Sequence, residues 1–386
     1  MLRPFVFLLL IPCFIACQPH QPREVLQFHL NDSTSAWIPV ARFDDRWELQ
    51  NGGEVLVLQK QSDSILSVPV FNGAFEWDSA TQSGSWIDSL RPIVENHVYR
   101  VAFSLVDVPV TPSDSIAGTW NIWYEAQPGA EPSTAQLDLT SEGGAVTGTI
   151  RTPTGDYRYL HGVFVEGHLS LQTFDGAHLY RIEAVQHGSA WTSGSFFSGN
   201  HYRTDWCGRP AQPWEDSAAL NTFQVHPDSL VVDVIGRDGS PNRISLIPTG
   251  QEPLVVDILG SWCPNCMDEV RMLKALRSEM VNPMISIAFE REVSPDLAYR
   301  RLDEFKEALG VDWDVHLGGP ASKTAAADAF PFLDRVISFP TTLFIQPDGT
   351  VTVHSGFNGP ATGPRYEQER AAFERHMQSL TSLENH

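Results

Sequence analysis

Trp262-Cys263-Pro264-Asn265-Cys266 holds two thiols separated by two residues, a spacing that lets them close into a disulfide and reopen. The thiolate is the nucleophile in such exchange, so the chemistry needs a place that favours the anion. The flanking sequence supplies one. Leu254–Leu259 is short, apolar and β-branched, the pattern of a buried strand, and Gly260-Ser261 turns the chain after it. Beyond the cysteines, Val270, Leu273, Leu276 and Met280 recur at three- and four-residue steps, the period of a helix face. Cys263 therefore falls at a helix N-terminus, where unpaired N–H groups and the helix dipole favour negative charge. Pro264 suits the first helical position, having no N–H to leave unpaired. These positions predict an exposed attacking thiol at Cys263 and a shielded resolving thiol at Cys266, one turn in.

Three further residues fit that chemistry. Asp257 lies six positions before Cys263 on the incoming strand, amid Val and Ile. Burial raises an aspartate pKa, which would let it take or give the resolving thiol's proton. Glu269, one turn beyond Cys266, either faces the same pocket or complements the helix dipole. Far downstream, Phe339-Pro340-Thr341-Thr342-Leu343-Phe344-Ile345 puts a proline at the head of an apolar strand. Proline is tolerated at a strand's first residue, and a cis bond there would be a built feature.

With these residues in view, the chain from about Asp228 to its C-terminus resembles the TlpA/ResA-like thioredoxin-fold proteins, extracytoplasmic thiol–disulfide oxidoreductases of bacteria. The resemblance rests on Trp262–Cys266, Glu269, the Phe339-Pro340-Thr341 strand start and the Pro347-Asp348-Gly349 turn. It implies that Cys263 attacks, Cys266 resolves, and Pro340 is cis beside the disulfide. Glu269 matches the acid that this family carries three positions after the second cysteine. Asp257 matches the buried aspartate of ordinary thioredoxins, so which of the two acids handles the proton stays open. Trp262, Pro264, Phe339 and Thr341, which flank the cysteines and Pro340, are the residues expected to meet the substrate.

Other chemistries fit less well. A structural zinc site needs four ligands, and the sequence has no second Cys-x-x-Cys and no His-x-x-x-His. A peroxidase would carry Thr-x-x-Cys, whereas Gly260-Ser261-Trp262 precede Cys263 here. The reading calls for no metal and no cofactor.

The N-terminus sets the compartment. Met1-Leu2-Arg3-Pro4 gives a positive start, and the apolar run Phe5–Ile11 is too short to span a bilayer. That is a secretory signal over residues 1–16. Phe14-Ile15-Ala16-Cys17 looks like a lipobox, with Cys17 the lipidated residue and 17–24 a polar tether. Of the five cysteines, Cys13 leaves with the signal and Cys207 is left alone, either a buried inert thiol, the favoured reading, or one that pairs with something else. The net charge of −21 argues against nucleic acid and against a direct grip on anionic lipid.

Residues 25–213 read as all-β. Apolar alternation recurs in Val55–Leu58, Val98–Phe103, Thr119–Tyr124, Gln136–Leu139 and Val146–Ile150, with turn signals such as Gly143-Gly144 and Asp175-Gly176 between strands. That spacing predicts an up-and-down antiparallel sandwich or barrel. Thr111–Ser115 either divides it into 25–112 and 116–213 or lies within one continuous domain. Thr154–Gly162, Phe174–His178 and Ser195–Gly199 resemble the all-β N-terminal extension of many TlpA-like lipoproteins from Bacteroidetes-type bacteria. Asp156, Arg158, Asp175 and His178 could line a polar site there, but loop-closing roles are expected of them.

The fold class expected is therefore multidomain: an N-terminal all-β sandwich or barrel region, then a C-terminal α/β thioredoxin fold over 228–386. Its strands are expected at 230–234, 243–246, 254–259, 284–289, 341–345 and 351–354, with helices after the cysteines, from Ser294 to Leu309 and from Tyr366 to Leu380. The functional expectation is a lipid-anchored oxidoreductase on the periplasmic side of the cell envelope, reducing disulfides of exported proteins. It implies an upstream membrane electron donor. The rival reading is a binding lipoprotein whose β region captures a ligand, with the redox pair accessory.

Overall fold

The computed structural model describes residues 23–91, 98–109, 111–125, 133–211, 221–292 and 294–378. The signal segment, Cys13, Cys17 and Leu380 lie outside these residues. Eight strands, β1 (Arg23–His29) through β8 (Tyr99–Val108), pair in chain order and close when β1 meets β8, with Phe28 opposite Phe103. Alternation along each strand decides what goes inside. Trp47 and Leu49, Phe75 and Trp77, and Tyr99, Val101 and Phe103 point inward and are buried.

A second antiparallel sheet runs from β9 (Gly118–Tyr124) to β17 (Tyr202–Pro210), and β9 pairs with β17. The pairing of β10 (Thr134–Glu142) with both β9 and β11 (Ala145–Thr152) closes this sheet too. The all-β region is thus two closed antiparallel sheets in tandem. Trp120, Tyr124, Trp191 and Trp206 fill the second.

Side chains of the second barrel enter the core of the first: Phe174, Ala177, Leu179 and Phe197 belong to its apolar cluster. Phe174, at the end of the second barrel's β14 (His168–Phe174), inserts into the first, with ring centroids 4.9 Å from Trp86, 5.4 Å from Phe75 and 5.8 Å from Phe28. Asn51 brackets its backbone, donating to the Phe174 carbonyl at 2.7 Å and accepting its N–H at 3.2 Å. Asp175 and His178 close this turn. Asp175 accepts the Ala177 and His178 N–H groups and pairs with the His178 ring at 3.0 Å.

The C-terminal domain is a mixed eight-stranded sheet. At its centre β21 (Leu254–Leu259) runs parallel to β22 (Met284–Glu290), which runs parallel to β23 (Asp314–Pro320). The crossovers are α1 (Pro264–Arg277) and α2 (Pro295–Leu309). On the other side β24 (Thr341–Ile345) and β25 (Thr350–Ser355) form an antiparallel hairpin, and α4 (Pro364–Met377) follows. β21 is buried along its whole length, as a central strand covered on both faces must be. Sequence periodicity does not show β23 or the short α3 (Lys323–Ala329). The first carries Gly318-Gly319-Pro320, and the second is mostly alanine with no apolar stripe. Ser294 stands at the N-cap of α2, yet its hydroxyl makes no capping bond.

The thioredoxin-like domain and the first barrel share one apolar cluster, running from Phe28, Phe75 and Trp86 to Cys263, Cys266, Val270, Leu302 and Phe373. Polar contacts reinforce it: Arg301 donates to the Val70 carbonyl at 2.9 Å, and Arg291 lies 3.5 Å from Asp88.

Candidate active site

Cys263 is the N-cap of α1 and is disulfide-bonded to Cys266. The cap is unusual in using sulfur: the Cys266 N–H donates to Cys263 Sγ at 3.2 Å. An orphan donor of the helix terminus is thus aimed at the atom that becomes anionic when the pair is reduced. Cys263 Sγ also lies 3.6 Å from the Phe339 carbonyl oxygen, and the Phe339–Pro340 bond is cis. The expected contrast between the two thiols is smaller than the sequence suggests. Cys266 is fully buried, but Cys263 is only 5 % exposed, because its sulfur is folded in between the first turn of α1 and the Phe339 loop.

Asp257, on the strand that leads into the pair, and Glu269, three positions after Cys266 on α1, are both fully buried. The Ser286 hydroxyl donates to Asp257 Oδ2 at 3.1 Å and itself receives the Trp313 indole N–H at 2.8 Å. The Thr342 hydroxyl donates to Glu269 Oε1. Asp257 Oδ1 and Glu269 Oε2 are buried and have no hydrogen-bond partner. Burial pushes the Asp257 carboxyl up to about 7, against the hydrogen bond from Ser286. Burial, and then the neighbouring Asp257 charge, pushes Glu269 well above the usual carboxylate range. A carboxyl that exchanges its proton near neutral pH is suited to proton transfer with a thiol.

Trp262 is half-buried, its indole N–H donating to the Phe289 carbonyl at 2.9 Å and its ring edge-on to Phe339 at 5.6 Å. The Arg291 guanidinium covers the ring at 4.5 Å. Glu290, 2 % exposed, accepts both the Ser261 N–H at 2.8 Å and the Ser261 hydroxyl at 2.7 Å, which fixes the turn leading into the cysteines. Burial raises the Glu290 carboxyl to about 7, with these two bonds opposing. Sequence reasoning passed over Glu290 and Arg291. Their place at the carboxyl end of a parallel strand, where α/β sheets carry their sites, was the available signal. Pro264 is buried, and Thr341 is fully buried with its hydroxyl donating to the Ser338 carbonyl at 2.9 Å.

The second barrel reaches this site. Asn265, between the cysteines, donates its side-chain N–H to the Asp156 carbonyl at 3.0 Å, and Asp156 Oδ2 accepts the Gly359 N–H at 2.5 Å. Arg158 donates to the Pro264 carbonyl at 2.9 Å, lies 3.3 Å from Asp268 on α1 and pairs with Glu54 of the first barrel. Asp156 and Arg158 therefore do more than close a loop. The approach is close enough to need glycine. At Gly155 (φ +131°) a Cβ would lie 2.5 Å from Asn265 Nδ2, and at Gly356 (φ +83°) one would lie 2.7 Å from the Thr154 backbone. Cys207 sits elsewhere, on β17, and is an exposed free thiol rather than a buried one. Its strand faces alternate, and position 207 falls on the outward face between buried Trp206 and Gly208.

A central strand leading into Cys-x-x-Cys at a helix start, parallel crossovers and a cis proline opening the return hairpin define a thioredoxin fold with a disulfide at the start of its first helix. Solved structures similar to part of the chain include a secreted Mycobacterium tuberculosis disulfide oxidoreductase homologous to E. coli DsbE. It is 15 % identical, with 38 % of this chain and 99 % of that chain covered and a TM-score of 0.28. StoA from Bacillus subtilis is 14 % identical over 42 % and 99 % of the two chains, with a TM-score of 0.25. A thiol–disulfide oxidoreductase from Bacteroides fragilis is 16 % identical over 36 % and 96 %, with a TM-score of 0.24. No protein-family model and no curated protein matches the sequence.

Proposed function

We propose that this chain is a dithiol–disulfide oxidoreductase acting on exported proteins. The observation that carries the reading is Cys263 Sγ, which accepts the Cys266 N–H at 3.2 Å at the start of α1 and stands 3.6 Å from the carbonyl beside a cis proline. In the reductive direction the Cys263 thiolate attacks a substrate disulfide, forming a mixed disulfide and releasing one substrate thiolate. Cys266 then loses its proton and attacks Cys263 Sγ, freeing the second substrate thiolate and leaving the enzyme oxidised. Asp257, whose carboxyl burial raises to about 7, accepts that proton, and Glu269, which burial also holds well above the usual carboxylate range, tunes it. The edge formed by Trp262, Phe339 and Pro340 takes the substrate strand through backbone bonds. Two electrons must then come from a donor, in this reading an upstream membrane electron donor.

The location is part of the proposal. Cys17 carries the lipid, and residues 17–24 tether the protein at the periplasmic side of the envelope. No helix among the described residues is long and apolar enough to cross a membrane. The test is the midpoint potential of the Cys263–Cys266 pair, by equilibration with thiol buffers. A value near thioredoxin's, about −270 mV, supports the reductant reading, whereas one near about −120 mV makes the protein an oxidant. A pair that does not exchange with thiols at all would end the oxidoreductase reading.

A further inference from the structure

Arg158 belongs to the second barrel, more than a hundred positions from the cysteines, yet its guanidinium is buried against the dipeptide between them. It is 4 % exposed and has a positive φ of 53°, a strained backbone for a residue other than glycine. One nitrogen donates to the Pro264 carbonyl at 2.9 Å and lies 3.3 Å from Asp268; the other pairs with Glu54. Asp156 holds the arginine's own backbone, its Oδ1 accepting the Arg158 N–H at 2.7 Å, while its main chain takes the Asn265 amide. Both residues between the cysteines are thus gripped from outside the thioredoxin fold.

We propose that Arg158 is a positioning residue for the redox pair: it fixes the Pro264–Asn265 turn and sets a permanent positive charge against the first turn of α1, on the dipeptide that joins the two cysteines. This inference rests on the oxidoreductase reading for its purpose, though not for its test. The guanidinium stays protonated at any working pH. The charged and titratable groups on the elements that meet at the cysteine turn are Asp257 on β21, Asp268, Glu269 and Arg271 on α1, Glu290 and Arg291 at the end of β22, and Glu54, Asp156 and Arg158 from the barrels. Within this set Arg158 offsets Glu54 and Asp268. Removing it leaves Glu54 without its ion-pair partner and Asp268 with Arg271 alone, so negative charge accumulates at the first turn of α1 and destabilises a thiolate formed there. Removing Glu54 instead leaves the cation in excess and has the opposite effect. A contact that merely held the domains together would move both variants in the same sense.

The experiment uses the full chain, reduced chemically, with iodoacetamide as probe and the Cys263 peptide quantified by mass spectrometry, so that Cys207 does not contribute. Arg158→Met should raise the pH midpoint of Cys263 alkylation by about one unit and shift equilibrium with glutathione about tenfold toward the oxidised form. Arg158→Lys, which keeps the charge but loses the planar fork, should recover most of both. Glu54→Gln should lower the midpoint. Unchanged midpoints in Arg158→Met and Glu54→Gln, or shifts of the same sign in both, overturn the proposal. If Arg158→Met does not fold, the Glu54→Gln shift and the smaller Arg158→Lys shift decide it by the same signs. A wild-type protein that alkylates normally but exchanges with no disulfide would refute the enzyme reading while leaving this one standing.

Discussion

Asn265, the residue before Cys266, donates its side-chain N–H to the main-chain carbonyl of Asp156 at 3.0 Å, across a sequence separation of 109. A barrel that only spaced the redox domain from a membrane would have no reason to hold that residue. The contact makes the cysteine loop a product of two domains, and the energetics of each should be readable in the other.

The close approach at Gly155 gives the first test. An alanine there is strained by the +131° φ and sets a Cβ 2.5 Å from Asn265 Nδ2 and 3.2 Å from the Phe357 carbonyl. Gly155→Ala should cost about 1–3 kcal/mol and loosen the barrel from the redox loop. Chemical denaturation, with amide exchange at residues 155–158 and 356–359, reads both effects; a variant as stable and as protected as wild type would show that the glycine is not required.

Phe174 couples the barrels. Truncating a phenylalanine packed among Trp86, Phe75 and Phe28 should cost about 3–5 kcal/mol. The unfolding temperature of Phe174→Ala should drop, although Ala177, Leu179 and Phe197 still hold apolar contact with the first barrel. Unfolding at the wild-type temperature would mean that the ring carries little of the coupling.

The buried acids give a pH test with a definite sign. The folded Asp257 carboxyl is raised from 3.8 to about 7, so between those values the folded chain keeps a proton that the unfolded chain has lost. The stability from that neutral acid is full below about pH 4 and is lost as pH rises through about 7. Asp257→Asn should remove this decline and, in the reduced protein, slow release of mixed disulfides above pH 7. Glu269→Gln should do less near neutrality. Denaturation and exchange rates across pH 4–9 check both, and profiles unchanged by either substitution would make the acids structural.

The extent to which this was legible in the sequence follows the range of each interaction. The Cys263 strand–turn–helix unit is local: six apolar residues, a Gly-Ser turn and a helical period spell it out. β-rich character was visible in the alternation at Val55–Leu58 and Thr119–Tyr124. Barrel closure was not, because β1 meets β8 across the whole length of the first sheet. Asp156 and Arg158 stood out as polar residues in a β segment, but no local pattern says that their partners are Pro264 and Asn265. Glu290 was hidden for a similar reason: its two bonds go to Ser261, on the neighbouring strand's exit.

The proposed anchor has its own check. Cys17→Ser should move the protein from the membrane fraction to the soluble fraction in its native host, and mass spectrometry of the wild type should find a diacylglyceryl group on Cys17. An unmodified N-terminus beyond Cys17 would contradict the tether.

The exchange chemistry at Cys263 and Cys266 is the centre of the account, and trapping tests it most directly. Cys266→Ser, expressed in the envelope and isolated under acid quench, should carry exported proteins joined to it through Cys263, released by dithiothreitol. Cys263→Ser should carry none and should lose disulfide reductase activity on a protein substrate. Adducts on Cys263→Ser but not on Cys266→Ser, or on neither, would contradict the assignment of Cys263 as the attacking thiol.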